Sequence, residues 1–310
     1  GVYKRQIQES IAQVYIQILY AAESVKVNEN TLQVSIAQRD RGQELLNAGS
    51  IAKSDLAQLE AQVSTDRYQL VTAQATLEDY KLQLKQLLEL DGENEMNIYL
   101  PALSDENVLA PLPTKRDVYI SALSLRPEIE ASKLNVEASE LGINIAKSSY
   151  FPTISLSAGI GTNHTSGSDF TFGEQVKNGW NNSIGLSVSV PIFNNRQTKS
   201  AVQKAKLQYE TSMLSLLDEQ KALYKTIESL WLDANSAQQR YAAANEKLKS
   251  TQISYELISE QFNLGMKNTV ELLTEKNNLL QAQQEQLQAK YMAILNTQLL
   301  KFYQGDQLAL

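Results

Sequence analysis

Two distant stretches of this chain share one pattern. In each, a long helical pattern runs into an Asn-x-Gly turn, and a second helical pattern follows. The turns centre on Gly49 and Gly265, which lie 216 positions apart, and at the same spacing Asn47 aligns with Asn263. A duplicated long helical hairpin predicts an elongated repeat architecture rather than a compact globular core.

Heptad spacing indicates that the helices after both turns pack along supercoiled seams. After the first turn, apolar residues recur every seven positions at Leu56, Val63, Leu70, Leu77 and Leu84. The same spacing follows the second turn at Leu273, Leu280, Leu287 and Ile294. Residues 197–262 contain neither Gly nor Pro, which predicts a single helix of roughly 100 Å at 1.5 Å per residue.

Between the two repeats, the hydrophobic period changes from that of a helix to that of a strand. Aliphatic residues alternate with small or polar ones around Leu156 and again around Leu186, with a polar loop predicted between the two strands. No other strand in the sequence is available to cover the aliphatic face. The pattern is typical of a membrane β-hairpin with lipid on one side and water on the other. A soluble hairpin is the alternative.

Composition argues against several classes of function. The net charge is −7 and no basic stripe is present, so nucleic acid is not an expected partner. The chain has no cysteine, which excludes disulfides and thiolate metal sites. We find no phosphate-binding loop and no catalytic constellation, and we expect no cofactor, no metal and no enzyme activity. The lone His164 is predicted to be an exposed loop residue.

The first residues read as the middle of a helix without a cap, so we expect the chain to be a fragment that lacks its N-terminal part. At the spacing of the repeat, a second β-hairpin would precede residue 1, which gives four strands per protein. Strand edges cannot remain unpaired in a membrane. Closure therefore requires a symmetric oligomer, and three copies would supply twelve strands.

These segments resemble the TolC-like outer membrane channels of Gram-negative bacteria, which serve tripartite efflux and type I secretion. The resemblance rests on residues 126–161, where a helix leads into aromatic-Pro-x-Ile and an alternating strand, on residues 188–195 (VSVPIFNN), and on the two turns. It implies a mainly α fold with a membrane β-hairpin. Long antiparallel helical hairpins would form a periplasmic α-barrel, and the strands would contribute to a trimeric, twelve-stranded β-barrel in the outer membrane.

The resemblance also implies a division of the chain into segments. These are a first helical hairpin at 1–90, an equatorial linker at 91–125, a helix at 126–150, the outer-membrane β-hairpin at 151–193, a second helical hairpin at 194–304 and an equatorial tail at 305–310. The implied function is a passive exit duct whose periplasmic tip is opened by an adaptor and an inner-membrane pump. A coiled-coil scaffold and a periplasmic adaptor protein are the alternatives, although an adaptor should carry a lipoyl-like β segment.

The hairpin turns would form the tip that contacts the adaptor, at Gly49 and Gly265; ordinary turn chemistry also favours glycine there. By the family pattern, polar links between neighbouring hairpins hold the closed tip. Lys267 would pair with Ser54, although lysine lacks the planar fork of arginine.

The second link of the family pattern is altered, because it would join Phe262 to Asp55 and Phe262 has no hydroxyl group. The family's two inward acidic rings fall at Glu271 and Thr274, so one ring of three carboxylates is expected at the entrance. A solvated charge on the helix surface is the alternative interpretation of Glu271.

Overall fold

A computed structural model describes residues 2–90, 98–99, 101 and 108–307. Parts of the predicted linker (91–97, 100 and 102–107) and the end of the predicted tail (308–310) lie outside the described residues. Along the described chain the elements are α1 (Val2–Asn47), α2 (Lys53–Leu87), α3 (Lys115–Leu125), α4 (Pro127–Ser148), β1 (Thr153–Gly161), α5 (Phe172–Asn178), β2 (Asn181–Ser189), α6 (Gln197–Asn263) and α7 (Thr269–Gln304). The prediction of a mainly helical fold with one β-hairpin is confirmed.

The chain divides into two compact units. The first comprises Gly1–Pro127 with Lys221–Leu310, and the second comprises Glu128–Gln220. The long helices of the chain are rich in Ala, Leu, Gln, Glu and Lys, which are strong helix formers. In the part of the chain that the structure describes, no helix is both long and apolar enough to cross a membrane.

Packing of α1 against α7 forms the core of the first unit away from the turns. Ile16 and Leu19 of α1 are buried against Tyr291, Leu295 and Leu299 of α7. These side chains recur at helical spacing, so each helix buries an apolar stripe against the other. The first repeat and the second repeat are thereby joined within one chain.

The most buried row of α7 lies one residue before the predicted seam. In this row Leu272, Leu279, Ala293 and Leu300 are between 0% and 8% exposed and Gln286 is half-buried. Every member of the predicted row from Leu273 to Ile294 is half-buried. The reason is that α7 packs against α1, α2 and α3 along its length. A helix with several neighbours buries a face wider than one heptad row.

The described part of the predicted linker packs on the middle of α6. The indole Nε1 of Trp231 donates a hydrogen bond to the Pro113 carbonyl oxygen at 3.0 Å. Gln238 Nε2 donates to the carbonyl oxygens of Val108 at 3.0 Å and Ala110 at 2.8 Å. These bonds satisfy backbone groups of a proline-rich segment that has no regular structure of its own.

In the second unit, β1 and β2 pair antiparallel, with Thr153 opposite Ser189 and Gly161 opposite Asn181. Side chains alternate across a strand, so the two faces differ. One face carries small and polar residues. The other is aliphatic, and its side chains are 59–83% exposed: Ile154, Leu156, Ile160, Ile184, Leu186 and Val188.

The prediction of a polar loop between the strands is wrong in one respect, because this segment contains the short helix α5. The Thr171 hydroxyl accepts a hydrogen bond from the Glu174 N–H at 3.5 Å, and the Glu174 carboxylate accepts one from the Thr171 N–H at 2.9 Å. The sequence carried this signal, since Thr-x-x-Glu is a capping box. His164 is exposed and lies 3.1 Å from Gln175 Oε1.

Candidate functional site at the paired hairpin turns

The two Asn-x-Gly turns close their helices with the same hydrogen-bond pattern. Gly49 has φ of +75° and Gly265 has φ of +72°, a left-handed conformation that glycine adopts without strain. In each turn the glycine N–H donates to the carbonyl three residues earlier at 2.9 Å. The next N–H donates to the carbonyl five residues earlier at 2.8 Å. This is the Schellman pattern of a helix C-terminus.

Asp55 caps the start of α2. Its carboxylate accepts a hydrogen bond from the Ala52 N–H at 3.0 Å, which satisfies one of the free donors at the helix N-terminus. The helix macrodipole also favours an acidic side chain at this position. Asp55 is therefore committed to its own helix, whereas the neighbouring Ser54 is exposed.

The start of α7 holds a complete capping box. The Asn268 side chain accepts from the Glu271 N–H at 2.9 Å, and Glu271 accepts from the Asn268 N–H at 3.1 Å. The other Glu271 oxygen accepts from Lys267 Nζ at 2.6 Å. The hydrogen bond from Lys267, followed by that from Asn268, lowers the pKa of Glu271 below its ordinary value.

The predicted pairing of Lys267 with Ser54 links neighbouring hairpins and stays a prediction. Among the described residues, Lys267 bonds Glu271 and makes no hydrogen bond with Ser54. Two causes act together. Lys267 lies two positions before α7 begins and four positions from Glu271, and the capping box fixes the Glu271 carboxylate beside the turn.

Phe262 has no hydroxyl group and joins the two hairpins through apolar packing. It is 2% exposed and belongs to a cluster with Leu45 of α1, Leu59 of α2 and Leu272 of α7. One residue from each of the four long helices therefore meets directly behind the turns. Sequence reasoning noted only the missing hydroxyl and did not find this cluster; the apolar pattern around both turns was the available signal.

Hydrogen bonds also join α1 to α6 beside this cluster. Gln38 Nε2 donates to the Tyr255 hydroxyl oxygen at 2.8 Å, and Arg41 Nη2 donates to the Asn263 carbonyl at 3.3 Å. The second bond satisfies a carbonyl at the C-terminus of α6, where a cation is favourable. Burial raises the pKa of Tyr255.

A cleft of about 350 Å³ lies between the two turns. Five predicted site residues line it, namely Asp55, Phe262, Gly265, Lys267 and Glu271. The structure does not place the other three there: Gly49, Ser54 and Thr274. The Thr274 side chain is exposed, and its hydroxyl donates to the Val270 carbonyl at 2.8 Å within its own helix.

Two exposed apolar side chains flank the second turn and were not predicted. Leu264 is 75% exposed and Met266 is 71% exposed. Within the described residues, no group of three or more His, Cys, Asp or Glu side chains is placed to hold a metal ion. The features of this site are capped helix ends, one ion pair and an apolar turn.

Residues 118–305 match the family model described as outer membrane efflux protein. The chain belongs to this family. The resemblance to TolC-like channels is thus confirmed. Among its relatives is the outer membrane efflux protein BepC of Brucella suis biovar 1, 24% identical over 283 residues, with 91% of this chain and 59% of BepC covered. The outer membrane protein TolC of Escherichia coli K12 is 24% identical over 294 residues, with 92% and 58% covered.

Two solved structures share the fold of this chain. A structure of CusC superposes with a TM-score of 0.80 at 19% identity, covering 97% of this chain and 68% of CusC. VceC from Vibrio cholerae gives a TM-score of 0.75 at 17% identity, covering 98% and 71%. The chain spans about three-fifths of the length of BepC and TolC.

Proposed function

We propose that this chain forms the main part of a passive outer membrane channel, the exit duct of a tripartite efflux or type I secretion system. The observation that carries the proposal is the uncovered aliphatic face of the β-hairpin. Ile184 is 83% exposed and Leu186 is 72% exposed. Such a face is costly in water and favourable against hydrocarbon. Membership of the outer membrane efflux protein family supports the same location.

A trimer is the assembly that we propose. A lone β-hairpin leaves an unpaired backbone edge on each strand, and the hydrocarbon region offers no water to satisfy these groups. A ring of three copies, each with the four strands that the repeat predicts, closes a barrel of twelve strands. The long helical hairpins would extend into the periplasm as an α-barrel.

The paired turns are the proposed periplasmic tip. Leu264 and Met266 flank Gly265 and offer apolar side chains to a periplasmic adaptor, and Gly49 lies at the corresponding turn of the first hairpin. An inner-membrane pump would supply the energy. The proposed gate comprises six residues: Ser54, Asp55, Phe262, Lys267, Glu271 and Thr274.

The gate is tested by replacing Asp55 and Glu271 together with alanine in the protein produced from its complete gene. We expect a higher resting conductance in planar bilayers, or a changed ion selectivity, because both side chains cap helices at the entrance. Thr65→Ala is the matched control, since Thr65 is exposed, lies outside the proposed gate and donates its hydroxyl hydrogen bond to the Ala61 carbonyl of its own helix. Unchanged conductance and selectivity would remove Asp55 and Glu271 from the gate.

The alternatives make different predictions. A structural coiled-coil scaffold or a periplasmic adaptor protein would stay in solution without detergent and would give no conductance steps. The alternating strands of the second unit, whose aliphatic face is exposed, favour the channel over both.

A further inference from the structure

Three helices each contribute one polar side chain to a buried cluster, which we name the polar lock. Its members are Ser35 of α1, Asp66 of α2 and Lys276 of α7, which are 2%, 1% and 3% exposed. The ammonium of Lys276 donates to the Asp66 carboxylate and to the Ser35 hydroxyl oxygen. The Ser35 hydroxyl donates to the same carboxylate.

Further amides extend the polar lock towards solvent. The other Asp66 oxygen accepts from Gln62 Nε2 at 2.9 Å, so both carboxylate oxygens have partners. Gln62 Nε2 also reaches Asn277 Oδ1 at 3.4 Å, a second contact between α2 and α7. The polar lock is therefore a buried hydrogen-bond network in which both oxygens of the Asp66 carboxylate have partners, rather than an isolated buried charge.

Separating Lys276 from Asp66 is energetically unfavourable. Burial lowers the pKa of Lys276, and the hydrogen bond and charge of Asp66 oppose that shift. Moving α7 away from α2 would leave the Asp66 carboxylate and the Lys276 ammonium buried without an ionic partner. Breaking such a pair is strongly unfavourable, even though an apolar replacement of both members is often tolerated.

The position of the lock matters for the tip. Lys276 follows Thr269, the first residue of α7, by seven positions, or roughly 10 Å along the helix. The apolar cluster around Phe262 lies between the lock and the turns. Ser35 and Asp66 belong to the first hairpin, and Lys276 belongs to the second. The polar lock therefore joins the two hairpins of one chain, farther from the turns than the Phe262 cluster.

We propose that the polar lock holds α7 against α1 and α2 while the tip opens, so that the two hairpins of one chain move together at this level. Opening then takes place between neighbouring chains and in the segments between the lock and the turns. This inference rests on the proposed channel function. The opposite arrangement would have α7 slide past α2, which requires the lock to break.

The first test measures thermal unfolding of the full-length protein. Asp66→Leu and Lys276→Met should each lower Tm by about 5 °C or more, and the double variant should recover at least half of the loss. The matched control is the exposed pair of Lys247 and Glu285, 2.7 Å apart between α6 and α7. Its single substitutions should change Tm by under about 2 °C. Lock variants that behave like this control would overturn the proposal.

The second test tethers α2 to α7 beside the lock. Gln62→Cys and Asn277→Cys are joined with a short dithiol-reactive reagent, and the conductance of channel openings in planar bilayers is compared before and after. We expect the same open conductance, because the lock does not separate. A loss of half or more, absent in the single-cysteine controls, would show that α7 slides. Absence of any conductance before cross-linking would refute the channel function and leave the unfolding test of the lock intact.

Discussion

Lys267 Nζ lies 2.6 Å from Glu271 Oε1 at the entry to α7, so the carboxylate expected at the channel entrance is paired with a cation from its own turn. A ring of three such carboxylates would be accompanied by three ammonium groups. The negative potential at the entrance is then weaker than the acidic side chain alone predicts. The pair is half-exposed, so its role is to set local charge rather than to hold the fold together.

Removal of the cation should unmask this negative charge. For Lys267→Ala we expect the cation-to-anion permeability ratio to rise by about two- to five-fold, in line with the roughly 1 kcal/mol between unit charges about 4 Å apart in water. The reversal potential across a salt gradient measures the ratio. Lys267→Arg, which keeps the charge, should leave it unchanged. A ratio that does not move in Lys267→Ala would place Glu271 away from the conduction path.

Acidification should weaken the cap of α7. Because the pKa of Glu271 is lowered from an ordinary value of 4.5, its ionised form stabilises the folded state. That contribution is complete above pH 4.5 and is lost as the pH falls through the lowered pKa. We expect Glu271→Gln to lower Tm at pH 7 and to have little effect once the pH is below the lowered pKa of Glu271. A Tm difference that is constant across this range would contradict the assignment.

The sequence was sufficient for the architecture because its signals were long. Heptads repeated over many turns predicted the helical hairpins, and strict alternation around Leu156 and Leu186 predicted the strands. Short signals were missed, as with the capping box that begins α5 at Thr171.

The candidate site was predicted less completely because its partners depend on tertiary packing. Asp55 and Glu271 were identified as acidic side chains at the tip, but their bonds to the helix N-termini follow from the turn geometry. The polar lock was not predicted, since no spacing in the sequence indicates that Ser35, Asp66 and Lys276 meet across three helices.

Gly42 allows α2 to approach α1 closely behind the first turn. A Cβ added at Gly42 would overlap Leu59 Cδ1, and Leu59 belongs to the buried cluster around Phe262. We expect Gly42→Ala to be less stable than Gly142→Ala by about 1–3 kcal/mol, the usual cost of overpacking a core. Both changes gain the same helix propensity, and a Cβ at Gly142 meets no atom within 4 Å. Equal unfolding midpoints would contradict this packing.

The two faces of the β-hairpin should respond differently to charge. Leu186 lies on the aliphatic face opposite Leu156, and its neighbour Ser187 lies on the small, polar face. Leu186→Arg should disfavour membrane insertion by about 2–4 kcal/mol if this face meets lipid. Ser187→Arg should insert normally and shift ion selectivity. The amount of folded protein in outer membrane fractions measures the first effect, and equal losses in both variants would contradict the assignment of the faces.

The central claim is most directly tested by the particle mass of the protein produced from its complete gene and extracted from membranes with detergent. Mass photometry or multi-angle scattering, corrected for bound detergent, should give three copies per particle. A monomer or dimer that stays in solution without detergent would contradict the channel and favour a coiled-coil scaffold.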